Sequence, residues 1–93
     1  MAASFDLKNI SWDDILRIID QVIAALEGND RDNPRAFFEA LAAKKTADRR
    51  TWGRMSLLAQ DALGKFDDSD NRRVREILLA LRAIVIVAMD PGK

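Results

Sequence analysis

The stretch AAKKTADRRTWGRM, from Ala42 to Met55, decides how many helices this chain forms. It holds five basic residues and one acidic residue, whereas the whole chain is balanced at 15 Lys and Arg against 15 Asp and Glu. Helical apolar patterns lie on both sides of it, so either one helix runs through the stretch or two helices meet there. The same residues form a local positive cluster, so they also bear on function.

The segment before this stretch predicts a helix start, with Asn33 as the cap and Pro34 at the first helical position. A helix running unbroken over residues 34–66 has one apolar face. That face consists of Phe37, Leu41, Trp52, Met55, Ala59, Ala62 and Phe66.

Three charged residues interrupt that face, because a projection at 100° per residue places Lys44, Lys45 and Asp48 on it. Two interpretations follow. The helix breaks near Thr46, which can cap a new helix, or it is continuous with an exposed or kinked middle. Gly53 lowers helix stability by about 1 kcal/mol relative to Ala without ending the helix. The continuous helix is the interpretation favoured here.

The first helix is clearly marked in the sequence. Ser11 is a good N-cap, and Asp14 follows three residues later, as in a capping box. Gly28 is a natural stop. A broad apolar stripe lies between them, consisting of Trp12, Ile15, Leu16, Ile18, Ile19, Val22, Ile23 and Leu26.

The last helix is apolar on nearly all sides. Leu79, Ala83 and Ile86 form a second apolar strip opposite its main buried face, which indicates burial on both sides. In a short chain a second subunit is the simplest cover for that strip. The run IVIV, residues 84–87, also suits a strand, but no second strand candidate pairs with it. The main buried face consists of Val74, Ile77, Leu78, Leu81, Ile84, Val85 and Ala88.

These patterns predict an all-α fold: an antiparallel bundle of three, or four, helices, or a helical hairpin, completed by homodimerisation. With 93 residues the chain is expected to be a single helical domain over residues 1–93. Residues 1–10 are expected to form an N-terminal arm. Phe5, Leu7 and Ile10 are its candidate contacts with the body of the domain.

The composition argues against an enzyme. The chain has no Cys and no His, so the commonest nucleophilic thiol, general base and metal ligands are absent. No glycine-rich phosphate loop or nucleophile elbow occurs. No catalytic residue, cofactor, metal site or small-molecule substrate is therefore predicted. No signal peptide is recognisable and the longest apolar run is too short for a membrane span, so the expected location is cytoplasmic, without membrane contact.

The basic cluster suggests a nucleic-acid site. Five cations and one carboxylate give a net charge of +4 within eleven residues, which is a usual way to contact a phosphate backbone. An ordinary solvated helix face explains the same charges equally well. Trp52 lies inside the cluster, where it either stacks on a base or packs in the core. The candidate phosphate contacts are Lys44, Lys45, Arg49, Arg50 and Arg54.

The segment KKTADRRTWGRMSLL, residues 44–58, and the order of helices resemble the B2 proteins of nodaviruses, a viral family of helical suppressors of RNA silencing. RMSLL at residues 54–58 carries the local likeness. The resemblance implies an antiparallel homodimer that lays a long basic helix along double-stranded RNA, with the cluster, and Arg35 in addition, touching phosphates. It would bind by shape readout and sequester the duplex. The neutral overall charge and Asp48 depart from that pattern.

A protein-interaction module is the competing hypothesis: an adaptor, an immunity-type protein or a small subunit of a nucleoprotein complex. The two-sided apolar last helix and the zero net charge favour it. Arg75 and Arg82 share a face with the second strip, and long arginines beside apolar residues suit protein interfaces. The predicted dimer interface is Leu79, Ile86, Arg75 and Arg82.

Overall fold

The computed structural model describes residues 7, 10–44, 50–67 and 71–89, and its first helix, α1, spans Trp12–Glu27. Ser11 caps α1, because its Oγ accepts a hydrogen bond from the backbone N–H of Asp14 at 3.2 Å. Asp13 and Asp14 lie in the first turn, where the helix dipole favours carboxylates. The predicted start of the first helix is therefore confirmed.

The end of α1 lies where the sequence predicts it, but a different residue makes the turn. Gly28 is the C-cap with φ −87°, and the left-handed residue is Asn29, with φ 67°. The amide of Asn29 donates to the carbonyl of Leu26 at 3.0 Å, and the amide of Asp30 donates to that of Ala25 at 2.8 Å. These two bonds form a Schellman motif with Asn29 in the place usually taken by glycine.

The second helix, α2, spans Asp32–Ala43 and begins two residues before the predicted Pro34. The Asp30 carboxylate causes the shift, because its Oδ1 accepts from the amides of Asp32 at 3.0 Å and Asn33 at 3.3 Å. Asn33 therefore lies inside the first turn and is not the cap. Asp30 satisfies amides that a helix start otherwise leaves without partners.

The favoured prediction of one helix over residues 34–66 is wrong. Helix α2 ends at Ala43, Lys44 has extended backbone with ψ 121°, and the third helix, α3, spans Trp52–Asp67. The alternative interpretation, a break in this stretch, is confirmed, although Thr46 lies outside the described residues. Breaking the helix keeps Lys44 from interrupting an apolar face and lets both halves of that face pack on each other.

Helix α3 runs back along α2. At one end of the pair, the Oγ of Ser56 donates to the carbonyl of Ala42 at 3.2 Å. At the other end, the rings of Phe38 and Phe66 lie 5.7 Å apart. Ala42 at the end of α2 meets Ser56 near the start of α3, whereas the earlier residue Phe38 meets Phe66 near the end of α3, so the two helices are antiparallel.

The fourth helix, α4, spans Asn71–Met89. Residues 84–87 are helical, so the strand alternative is wrong, and the described part of the chain contains no strand. Helix α4 packs on α1 and α3, and α2 packs on the other side of both. The ion pairs Arg82–Asp20 and Arg75–Glu27 show that α4 is antiparallel to α1. The predicted all-α antiparallel bundle is confirmed, with four helices among the described residues.

The core between the helices is apolar, and no polar or charged side chain of the described residues is buried. The predicted apolar face of residues 34–66 is buried except for Trp52, which is half-buried. Fully burying one such side chain stabilises the fold by about 1.5–3 kcal/mol. Leu7 of the arm is also buried, at 4% exposed, and Ile10 packs against the core. Phe5 lies outside the described residues. The largest fully buried side chains include Phe37, Phe38, Ile15, Ile19, Leu41, Met55, Leu78 and Leu81.

None of the helices described here combines the length and the hydropathy needed to cross a membrane.

Candidate interaction site

The bundle separates the residues that the sequence proposes as phosphate contacts. Lys44, Arg50 and Arg54 lie around the end of α2 and the start of α3. Arg35 lies near the opposite end of the same helix pair, with its guanidinium 5.8 Å from the centroid of the Phe66 ring. Lys45 and Arg49 lie outside the described residues. The structure therefore does not bring Arg35 together with the three described residues of the cluster, Lys44, Arg50 and Arg54.

Lys44 points into the fold. Its half-buried ammonium donates to the carbonyl oxygen of Leu7 at 2.8 Å and lies 4.6 Å from the centroid of the Trp52 ring. Trp52 in turn stacks on Trp12, with ring centroids 4.8 Å apart and planes 16° from parallel. Lys44 thus joins the arm, the end of α2 and the start of α3. These contacts give it a structural role, and they engage the Trp52 ring on which a base would have to stack.

Arg50 and Arg54 are exposed and line a groove between the start of α3 and the end of α4. The cavity has a volume of about 380 Å³. Small and aliphatic side chains of α4 form its floor, whereas the two arginines and Thr51 belong to the α3 side. The floor residues are Ala83, Ile84, Val87 and Ala88. Two cations beside an apolar floor suit a ligand that carries both carboxylates and aliphatic groups.

The outer face of α4 continues this apolar surface. Leu79 is 44% exposed, Ile86 is 42% exposed and Val87 is 70% exposed, and Ala83 between them is also exposed. The structure thus leaves the predicted second strip uncovered within one chain. The sequence pattern does not reveal the groove or the role of Val87 in its lining, because the groove exists only where the start of α3 meets α4.

The two arginines of the predicted dimer interface are bound to α1 of the same chain. The Nε of Arg82 lies 2.8 Å from the Oδ1 of Asp20, and the guanidinium of Arg75 lies 3.4 Å from the Glu27 carboxylate. All four side chains remain at least 40% exposed. The pairs neutralise the α1 side of the strip formed by Leu79, Ala83 and Ile86.

The arginines at the start of α4 also have partners within the chain. Arg72 and Arg73 both lie near Glu76, at 3.8 Å and 3.2 Å, and Arg73 lies 3.7 Å from Asp61 of α3. These exposed pairs explain how α4 tolerates cations near the positive end of its dipole. Among the described residues, no group of three acidic side chains is placed to hold a metal ion.

Comparisons with protein families, with curated proteins and with solved structures find no match to this chain.

Proposed function

We propose that this protein is a non-enzymatic helical interaction module that binds another protein surface through α4. The observation that carries the proposal is the continuous apolar surface from Leu79 through Ile86 and Val87 into the groove beside Arg54. Contiguous exposed apolar surface with a polar rim is typical of protein interaction sites. Arginine is enriched in such interfaces, where its stem packs on apolar groups.

The distribution of charge supports the same function. The chain has no net charge, so the protein lacks the long-range positive field that usually accompanies strong nucleic-acid binding. Around the strip, Arg75 and Arg82 are already paired with carboxylates of α1. The exposed surface between these ion pairs and the groove is mainly aliphatic, which favours contact with an apolar partner surface.

A photo-cross-linking experiment tests this function. A benzophenone amino acid is placed at Val87, and a matched control variant carries it at Gln21 on the exposed side of α1. The proposal expects a cross-linked protein band from Val87 only, and expects excess wild-type protein to compete it away while Ile86→Glu protein does not. Equal cross-linking from both positions, or none from Val87, would contradict it.

A second candidate function is the binding of duplex RNA, as the resemblance to B2 proteins implies. The exposed pair Arg50 and Arg54 at the start of α3 supports it, because both guanidinium groups can reach phosphates there. Lys45 and Arg49 add positive charge in the adjoining sequence. Contact would come from one end of the bundle and not from a long helix along the duplex. In this function the protein sequesters duplex RNA and suppresses silencing, as an RNA-binding homodimer.

An electrophoretic mobility shift with a duplex of about 25 base pairs tests the second function, since shape readout requires a duplex but no particular sequence. Binding should weaken steeply as salt is raised. Absence of a shift at micromolar protein in low salt would exclude it.

A further inference from the structure

The exposed face of α4 has the spacing of a coiled-coil seam. Arg72, Glu76, Leu79, Ala83 and Ile86 follow one another at intervals of four, three, four and three residues. All five side chains are exposed. In a coiled coil this spacing keeps one stripe of a helix facing its partner along the whole length. The first two positions are charged and the last three are apolar, so the two ends of the seam differ and parallel and antiparallel pairs make different contacts.

We propose that α4 of a second copy covers this face, antiparallel to the first, with Leu79 opposite Ala83 of the second copy. The proposal rests on the proposed function in taking α4 as the interaction surface, and it names the partner. A two-fold axis makes the contacts reciprocal, so Glu76 then lies opposite Ile86 of the second copy. The large Leu79 meets the small Ala83 twice, which lets the two helices approach and interdigitate.

The charges select the antiparallel orientation. A parallel pair would place Arg72 opposite Arg72 and Glu76 opposite Glu76 of the second copy, and like charges across a seam are unfavourable. In the antiparallel pair, Glu76 lies beside the groove of the second copy, next to its Arg54. Among the described residues, Glu76 is paired with Arg72 and Arg73 at exposed positions, so its carboxylate can turn to the second copy.

The length of α4 selects the register. The helix spans Asn71–Met89. Pairing Leu79 with Ala83 puts the two-fold axis on the exposed face at the height of residue 81, within one residue of the middle of the helix. The two helices then overlap almost completely. A shift by one heptad in either direction keeps the seam but shortens the overlap and places either Leu79 or Ile86 opposite residues beyond the helix. On the α1 side, the paired Arg82 and Asp20 present a locally neutral flank to the second copy.

Engineered cysteines test the orientation and the register, because the chain has no cysteine of its own. Leu79→Cys and Ala83→Cys proteins are oxidised separately and as a mixture, then separated on a non-reducing gel. In a mixed dimer, the proposed pairing brings the thiol of the Leu79→Cys protein close to the thiol of the Ala83→Cys protein, within the short reach of a disulfide. It therefore expects cross-linked dimer several-fold more abundant in the mixture than in either protein alone. A second mixture, Glu76→Cys with Ile86→Cys, should behave in the same way.

Gln21→Cys protein on the outer face of α1 serves as the control for random collision. Efficient cross-linking of Leu79→Cys protein with itself would overturn the antiparallel orientation. Sedimentation tests the second copy directly: wild type should sediment as a dimer at tens of micromolar, and Leu79→Glu protein as a monomer with unchanged helicity. A monomeric wild type would overturn the inference. The two proposals can fail separately. If the wild type is a monomer but photo-cross-linking at Val87 captures a different protein, the interaction function stands and the second copy is not its partner.

Discussion

The ammonium of Lys44 lies 4.6 Å from the centroid of the Trp52 ring, and this contact spans the point where α2 ends and α3 begins. Lys44 belongs to the basic cluster that the sequence proposes as a phosphate site. Its second contact, 2.8 Å to the carbonyl oxygen of Leu7, ties the arm to the same place. A cation that looks like a ligand contact in the sequence thus holds three segments of the fold together.

Replacing Lys44 by Met should destabilise the protein although the stem and its packing are kept. The loss of the hydrogen bond to Leu7 and of the cation–π contact with Trp52 is expected to lower the free energy of unfolding by about 1–2 kcal/mol. Urea denaturation followed by circular dichroism measures this. Arg54→Met is the matched control, because Arg54 is exposed and should change stability by less than about 0.5 kcal/mol. Equal effects of the two substitutions would argue against the structural role.

The stacked pair Trp12 and Trp52 should show energetic coupling. Stacked aromatic rings contribute about 0.5–1.5 kcal/mol beyond their buried area. A double-mutant cycle with Trp12→Leu, Trp52→Leu and the double variant isolates this contribution, since leucine keeps apolar contact but cannot stack. Strict additivity of the two single effects on the free energy of unfolding would contradict a stack in solution.

The turn after α1 should tolerate changes at Gly28 better than at Asn29. Gly28 has an ordinary φ of −87°, and a Cβ placed there lies 3.6 Å from its nearest atoms, an ordinary contact distance. Gly28→Ala should therefore stabilise the protein by about 0.4–1 kcal/mol, because alanine restricts the unfolded chain. Asn29→Ala should destabilise it by about 1 kcal/mol, because φ is positive there. Thermal and urea unfolding give both values, and the opposite order would refute the assignment.

If the protein binds duplex RNA, arginine substitutions at the two ends of the α2–α3 pair should affect RNA affinity differently. Replacing Arg50 and Arg54 by Ala should weaken binding regardless of sequence and should lower the salt slope by about 1 for each lost phosphate contact. Arg35→Ala is the control, because Arg35 lies by Phe66 at the other end of the α2–α3 pair. Mobility shifts at several salt concentrations provide both quantities. An equal loss of affinity for Arg35→Ala would show that RNA does not use the α3 end specifically.

Local signals in the sequence were sufficient wherever neighbouring residues decide the structure. The Ser11 cap and the apolar positions of α1 and α4 could be read directly, since capping and helical periodicity act over a few residues. The sequence does not single out Asp30 as the acceptor for the first amides of α2, because Asn33 and Pro34 carry an equally good start signal one turn later. The two signals compete within a few residues, and the sequence does not rank them.

The candidate site was predicted only in part. The exposure of Leu79 and Ile86 follows from helical projection, and the structure places both at the surface. The groove beside Arg54 and the inward position of Lys44 could not be derived, because each joins residues from helices that are distant in the sequence. A helical projection shows which side of one straight helix a charge lies on. It does not show which other helix that side contacts once the chain reverses direction.

By itself the sequence determined the helical class, the first cap and most residues of the core, since these depend on composition and short-range periodicity. Only the tertiary structure decided that residues 34–66 form two helices. A helix ends where its apolar face gains more from packing on another element than from continuing, and the contact between Phe38 and Phe66 is made only when the chain turns back. That turn also directs Lys44 inward and opens the groove between α3 and α4.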